Sequence, residues 1–297
     1  MNERAASSTA VLVCQGRATA DGRYAVGRFS DPVARELLDP ADHVVVDRVR
    51  ADRVPTEAAD RVAYEMVRRT GLTMVPRTIA IDAAIRGHAA RQLVILGAGL
   101  DARAWRMPEL AGATVFEVDH PASQQDKQRR IGGLVPMAGR VVPVAVDLAA
   151  ERLGPSLARA GFDRQAVTTW VWEGVVPYLT AGEVRATVAQ IAELSAPASR
   201  LVVNYQAKSL PTTVMRVAMR LLLRVTRAPD PMAGEPWRSL WRPDHLRSML
   251  SDNGVDVISD DDLLTLSEGL ALPPGNNGSL RNGRVAVAVR RSPRRRP

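Results

Sequence analysis

Only one cysteine, Cys14, stands among the 297 residues, which excludes an internal disulfide and a cysteine-built metal cluster. Its expected role is a small buried side chain. Aromatic residues make up 4% of the chain, so aliphatic side chains must fill most of the core. No stretch approaches the apolar length of a membrane span. The opening MNERAASSTAVLVCQGR has too short an apolar run for a signal peptide. A cytoplasmic protein with no membrane partner is therefore expected. No His, Cys and Asp residues cluster at metal-ligand spacing, so no metal is expected. The formal net charge is +8, and Arg290, Arg291, Arg294, Arg295 and Arg296 supply five of those charges at the extreme end. No aromatic residue interleaves with these arginines to stack on bases. The tail reads as a solvated terminus, and no nucleic-acid partner is expected.

What is present is an ordinary globular composition, 46% hydrophobic and 24% charged, in a chain long enough for a sizeable core. The first ninety residues lack a convincing alternating strand. Helical spacing appears near residues 5–18, over 56–70 with Thr56 placed to cap it, and over 78–90. Short apolar runs then begin: 92–96 (QLVIL), 113–118 (ATVFEV), 141–146 (VVPVAV), 168–172 (TTWVW) and 200–205 (RLVVNY). Helical stretches at 121–131, 151–160 and 181–195 alternate with them. Near-continuous apolar strands alternating with helices predict an α/β, doubly wound, mostly parallel sheet covered on both faces. Residues 211–228 read as an amphipathic helix and 243–252 as another, with Pro243 in its first turn. Residues 255–259 and 284–289 (RVAVAV) read as a closing strand pair, with a Gly-, Asn- and Pro-rich loop at 273–283. The expected organisation is an N-terminal helical lid over 1–75. A sheet domain over 76–297 follows, with a helical cap insertion at about 207–245 and a basic tail.

The strongest local signal is LGAGLDAR, residues 96–103, directly after an apolar strand. Gly97, Ala98 and Gly99 allow a tight turn and close approach of a ligand, with Asp101 and Arg103 just beyond. Glu117 and Asp119 end the next strand. Asp119 lies about twenty residues after the glycines, where an acid grips ribose hydroxyls. Two acceptor oxygens on one carboxylate suit two vicinal hydroxyls. Residues 97–102 also fit the looser G-x-G-x-x-A form of a dinucleotide fingerprint, and such turns occur without a ligand as well.

Three features favour S-adenosyl-L-methionine over NAD. Asp147 follows the third strand and could accept from an adenine amino group, while Leu148 covers the ring. Glu173 ends the fourth strand, on the carboxyl side where ligands sit. Arg77 precedes the sheet, and a guanidinium can hold a free amino-acid carboxylate bidentately. NAD has no such carboxylate. Taken singly, each of these residues reads equally as a surface ion pair or a helix cap.

RTIAID (77–82), VILGAGLDARAWR (94–106), FEVDHP (116–121), Lys127, Asp147–Leu148, EGVVPYL (173–179) and GEPW (234–237) occur in an order that resembles the leucine carboxyl methyltransferase-like family, in its bacterial branch. The resemblance implies a seven-stranded class I methyltransferase fold. It implies that Arg77 holds the cofactor carboxylate and that Gly97 and the turn after it face the methionine part. Asp119 would bind the ribose, Asp147 and Leu148 would contact adenine, and Glu173 would lie near the cofactor amino group and the transfer site. The segment GRATADGRYAVGRFSDPVARELL (16–38) departs from the family: Asp31–Pro32 fits, and what precedes it is only loosely similar.

Methyl transfer is an in-line displacement that needs alignment of a nucleophile and exclusion of water. The expected acceptor is a small molecule, methylated on a carboxylate or hydroxyl oxygen. A carboxylate needs no base, whereas a hydroxyl does. None of His43, His88, His120 and His245 sits in a base motif. His120, beside the cofactor acid, is the most suggestive, although a role in shaping the turn is the stronger reading. Tyr178 and Arg103 could line the transfer site; the competing readings are helix packing for Tyr178 and a surface salt bridge for Arg103. A nicotinamide-dependent oxidoreductase and a non-catalytic cofactor-binding protein of the same fold stay open.

Overall fold

The computed structural model describes residues 7–148, 151–208, 237–274 and 277–292. Its centre is a seven-stranded sheet: β1 (Gln92–Leu96), β2 (Thr114–Asp119), β3 (Arg140–Ala145), β4 (Thr168–Trp172), β5 (Arg200–Gln206), β6 (Val255–Asp262) and β7 (Gly283–Arg290). The spatial order is β3-β2-β1-β4-β5-β7-β6. All pairs from β3 to β5 are parallel, and β7 enters antiparallel between β5 and β6. The order reverses beside β1, so a crevice opens at the carboxyl ends of β1, β2 and β4.

The two-residue period of a strand sorts the apolar side chains onto two faces. Val94, Leu96, Phe116, Val118, Trp170 and Trp172 share one core. Helices α7 (Leu153–Arg159), α8 (Ala181–Leu194) and α9 (Pro243–Asp252) cover that face and add Leu157, Ile191 and Leu250 to the cluster. Leu93, Ile95, Val115 and Val171 point the other way and join Cys14, Ala18, Ile81 and Ile85 in a second core. These last four come from α1 (Ser8–Ala20) and α4 (Ala58–Arg86). Covering on both faces explains why β1 and β4 are buried at every residue.

Helix α4 corrects two expectations. It is one helix of 29 residues, not two, and its N-cap is Glu57, without a side-chain cap bond, not Thr56. Pro76 lies inside it, at a cost of about 3 kcal/mol for a helix interior. Burial of Leu72, Val75, Ile81 and Ile85 on either side of Pro76 offsets that cost. The expected boundary between 75 and 76 therefore falls inside a continuous helix, and α1 shares a core with the sheet. The crossing of α1 and α4 is close because glycines meet there. A Cβ on Gly16 would lie 2.7 Å from Thr70 Cγ2, and one on Gly71 would lie 3.1 Å from the Gly16 carbonyl oxygen.

Between these helices lie α2 (Val33–Glu36) and α3 (Pro40–Arg50), and α5 (Arg103–Arg106) and α6 (Pro121–Ile131) follow β1 and β2. Helices α10 (Leu263–Leu266) and α11 (Asn277–Asn282) precede β7, so part of the expected 273–283 loop is helical. The helix expected at 211–228, and most of the cap insertion, lie outside the described residues. The basic tail is shorter than expected. Arg290 belongs to β7 and donates to the Asn253 carbonyl at 2.7 Å, and Arg291 pairs with Asp256 at 2.5 Å. Cys14 is buried as expected, and its thiol donates to the Ala34 carbonyl at 3.0 Å. Burial pushes that thiol up to about 11, so it stays protonated and unreactive near neutrality.

Candidate active site

A cavity of about 600 Å³ occupies the crevice at the strand ends. Its floor is the turn after β1 and its sides are Asp119, Arg77 and the Glu173–Val175 corner. The opposite wall comes from α1 and the residue before it, through Ser7, Thr9, Ala10, Val13 and Arg17. Tyr178 and Arg238 complete the rim.

The turn is built for a close approach. Gly97 has φ +66°, and a Cβ there would sit 2.2 Å from Val175 Cγ2. Gly97→Ala is therefore expected to fold poorly or displace the Val175 corner. Gly97→Ala with Val175→Ala should recover part of the loss, leaving the strain of a left-handed alanine. Thermal midpoints of the two variants test this; equal midpoints would contradict the close contact. The Gly97 and Ala98 amides both donate to the Val118 carbonyl, at 2.8 and 3.1 Å, pinning the turn to β2. Asp119 then locks it, because Oδ2 accepts from the Gly99 amide at 2.6 Å and Oδ1 from the His120 amide at 2.7 Å.

Behind the cavity runs a chain of buried charges. Arg17 Nε lies 3.0 Å from Asp31, and Asp31 lies 3.5 Å from Arg106. Arg106 pairs with Asp82 at 2.7 Å, and Asp82 with Arg103 at 2.8 Å. Arg103 also holds Asp101, and it reaches Glu173 at 2.8 Å. Glu173 meets Arg77 at 2.7 Å. Four guanidinium groups thus balance four carboxylates, each side chain no more than 8% exposed. Burial by itself would raise the Glu173 pKa, but Arg77, Arg103 and Arg17 outweigh it and hold the carboxyl well below the usual range.

A depressed folded pKa contributes stability that is complete above the unfolded value near 4.5 and is lost as pH falls through the folded one. Native stability is thus expected to fall from pH 5 towards pH 3, and Glu173→Gln should show a shallower decline from a lower starting value. Urea midpoints across that range decide it; parallel declines would contradict the assignment.

The predicted site residues separate into groups. Arg77, Gly97, Ala98, Gly99, Asp101, Asp119, Glu173 and Tyr178 all line the cavity. Arg103 stands just behind them, and the surface salt-bridge reading is corrected because the residue is 1% exposed. Glu117 faces away, into a buried pair with Lys127 at 2.7 Å. Lys127 also donates to the Asp101 carbonyl at 2.7 Å and lies over the Trp105 ring. Burial outweighs Lys127 and pushes Glu117 up to about 6, and this acid, paired with Lys127 behind the turn, is not among the residues lining the cavity.

His120 is exposed, caps α6 by accepting from the Ala122 amide at 3.3 Å, and is not among the residues lining the cavity. That corrects the base reading in favour of the turn. Asp147 and Leu148 do not line the cavity either. The Asp147 amide donates to Glu151 at 3.1 Å, and Leu148 packs against the first core. The sequence reading missed Arg17, Asp31, Asp82, Arg106, Ser123 and Arg238, of which Arg17, Ser123 and Arg238 reach the cavity.

The model of one family, leucine carboxyl methyltransferase, matches residues 10–192. A protein of Mycobacterium sp. (strain MCS), provisionally named an S-adenosyl-L-methionine-dependent methyltransferase, is 42% identical over 123 residues, covering 41% of this chain and 50% of that one. A Mycobacterium avium (strain 104) protein of the same name is 34% identical over 204 residues, covering 66% and 64%. The chain spans about half to two thirds of the length of these curated relatives. A DUF574 family protein from Streptomyces avermitilis superposes with a TM-score of 0.56 at 15% identity, covering 96% of this chain and 98% of that one. A protein from Thermobifida fusca, provisionally named a methyltransferase, does so with 0.54 at 16% identity, covering 98% and 97%. At such identities the likeness is one of fold.

Proposed function

Because the chain belongs to the leucine carboxyl methyltransferase family, we propose that it is an S-adenosyl-L-methionine-dependent methyltransferase that methylates an oxygen of a small-molecule acceptor, with a carboxylate favoured over a hydroxyl. The carrying observation is the Arg77–Glu173 pair at the end of β4. Both side chains line the cavity and are 8% exposed. Their facing atoms are 2.7 Å apart without hydrogen-bond alignment, and neither Glu173 oxygen has an aligned donor. The hydrogen bond from Arg77 to Asn204 is long, at 3.5 Å. A buried cation and anion with unspent hydrogen-bonding capacity fit the carboxylate and ammonium of a free amino-acid group. Asp119 fits vicinal ribose hydroxyls, and the Gly97–Gly99 turn lines the cavity where the chain between them would run.

When bound, such a cofactor supplies a methyl group on a sulfonium. The protein's share is to hold it, aim the acceptor and keep water out. No histidine lines the cavity among the described residues. Glu173 is held ionised by three arginines and is a weak base. A carboxylate acceptor is already ionised at neutral pH and needs no proton removed. Arg238, half-exposed at the rim and 3.5 Å from Glu183, adds a cation on the open side.

The test is incubation with methyl-labelled cofactor and a panel of carboxylic acids, phenols and alcohols. Label that transfers to the acids and is released as methanol by mild alkali marks a methyl ester and supports the reading. Alkali-stable label on phenols or alcohols would replace carboxylate by hydroxyl. Transfer to no oxygen acceptor, with the cofactor bound, would overturn the O-methylation.

A further inference from the structure

Arg17 is the point where the cavity wall meets the cofactor turn. It sits in the buried half of α1 and is 4% exposed. Its Nη2 donates to the Leu100 carbonyl at 2.6 Å, in the middle of the turn. Its Nε faces Asp31 Oδ2 at 3.0 Å. Asp31 is itself fixed, since Oδ1 accepts from the Ala34 amide at 3.1 Å. One planar fork therefore donates to the turn through Nη2 and faces Asp31 through Nε as an ion pair without hydrogen-bond alignment, and both contacts are buried. The same helix places Ala10 and Val13 in the cavity wall.

We infer that Arg17 is a positioning residue that makes closure of α1 over the cavity and ordering of the Gly97–Asp101 turn a single event. The inference rests on the cofactor reading above. Lifting α1 strips the Leu100 carbonyl of a charge-assisted hydrogen bond and leaves Arg106 as the one cation paired with Asp31 among the described residues, so the turn loosens whenever the wall opens. A ligand that fixes the turn fixes the wall in return, because coupling of this kind is reciprocal. A lysine at position 17 keeps the charge, but one ammonium cannot reproduce the fork.

Hydrogen exchange of the full chain, with and without S-adenosylhomocysteine, tests this beside Arg17→Lys and calorimetric binding. In the native chain the amides of α1 and those of 98–101 should gain protection together. In Arg17→Lys the ligand should bind about tenfold more weakly, as expected for one lost charged hydrogen bond, and protect the turn without α1. Protection of the native turn alone would overturn the inference, as would native affinity and joint protection in the variant. A merely structural role would lower the thermal midpoint and move neither readout. Without ligand, Arg17→Lys should already exchange the turn amides faster than the native chain. That arm stands even if no ligand binds, so failure of the cofactor reading and failure of this inference give different results. Asp31→Asn, which weakens the same tie from its other end, takes the place of Arg17→Lys if that variant does not fold.

Discussion

Arg103→Met should leave little or no recoverable folded protein. Arg103 is 1% exposed and its guanidinium serves Asp82, Asp101 and Glu173 at once. Methionine fills similar space but leaves three buried carboxylates short of a cation. Arg106 still reaches Asp82 and Arg77 still reaches Glu173, whereas Arg103 is the one cation paired with Asp101 among the described residues. Breaking a buried pair from one side costs about 3–5 kcal/mol. A domain has about 5–15 kcal/mol in total. Arg103→Lys keeps the charge and loses the fork, so it should fold with a smaller loss, on the order of 2 kcal/mol. Urea unfolding followed by far-ultraviolet dichroism compares the three chains. A methionine variant with the native midpoint would show that the charge chain does not hold the site together.

Asp119→Ala should bind S-adenosylhomocysteine at least about a hundredfold more weakly, since two hydrogen bonds to a charged acceptor are lost, each worth about 1.5–3 kcal/mol and not fully additive. Stability should fall less than in Arg103→Met. Asp119 accepts from two turn amides, at 2.6 and 2.7 Å, and those can turn to water once the side chain is gone. Asp119→Asn keeps one acceptor and should lie between. Calorimetric titration of the folded variants measures this. Unchanged affinity in Asp119→Ala would remove the ribose role and leave the acid as a turn brace.

The strands were legible in the sequence for a physical reason. QLVIL and TTWVW are buried on both faces, so every residue except the hydrogen-bonded Gln92 is apolar or a compact threonine, and the runs stand out. The glycine turn and Asp119 were legible because strand end, turn and acid are local features at a regular spacing. Helix α3 was missed although its signal is local. Asp39 and Asp42 form a capping box around Pro40, and only Val46 and Val49 are fully buried, so the apolar stripe is thin.

The continuity of α4 was hidden by Pro76, whose local preference is overruled by burial on both sides of it. The charge chain could not be read, because Arg17, Asp31, Asp82 and Glu173 meet only after α1, α4 and β4 are packed. Glu117 and Asp119 look alike in FEVDHP. They differ because Lys127, one helix away, claims Glu117, and the turn amides claim Asp119. Asp147 and Leu148 carry family spacing without reaching the cavity, which the sequence spacing alone does not disclose.

Calorimetric titration of the native chain with S-adenosylhomocysteine and, separately, with NAD decides which cofactor the crevice takes. Saturable one-site binding of the first is expected, weakened in Arg77→Ala and Asp119→Ala, and none of the second. A folded chain that ignores S-adenosylhomocysteine, or that binds NAD in its place, would contradict the cofactor reading.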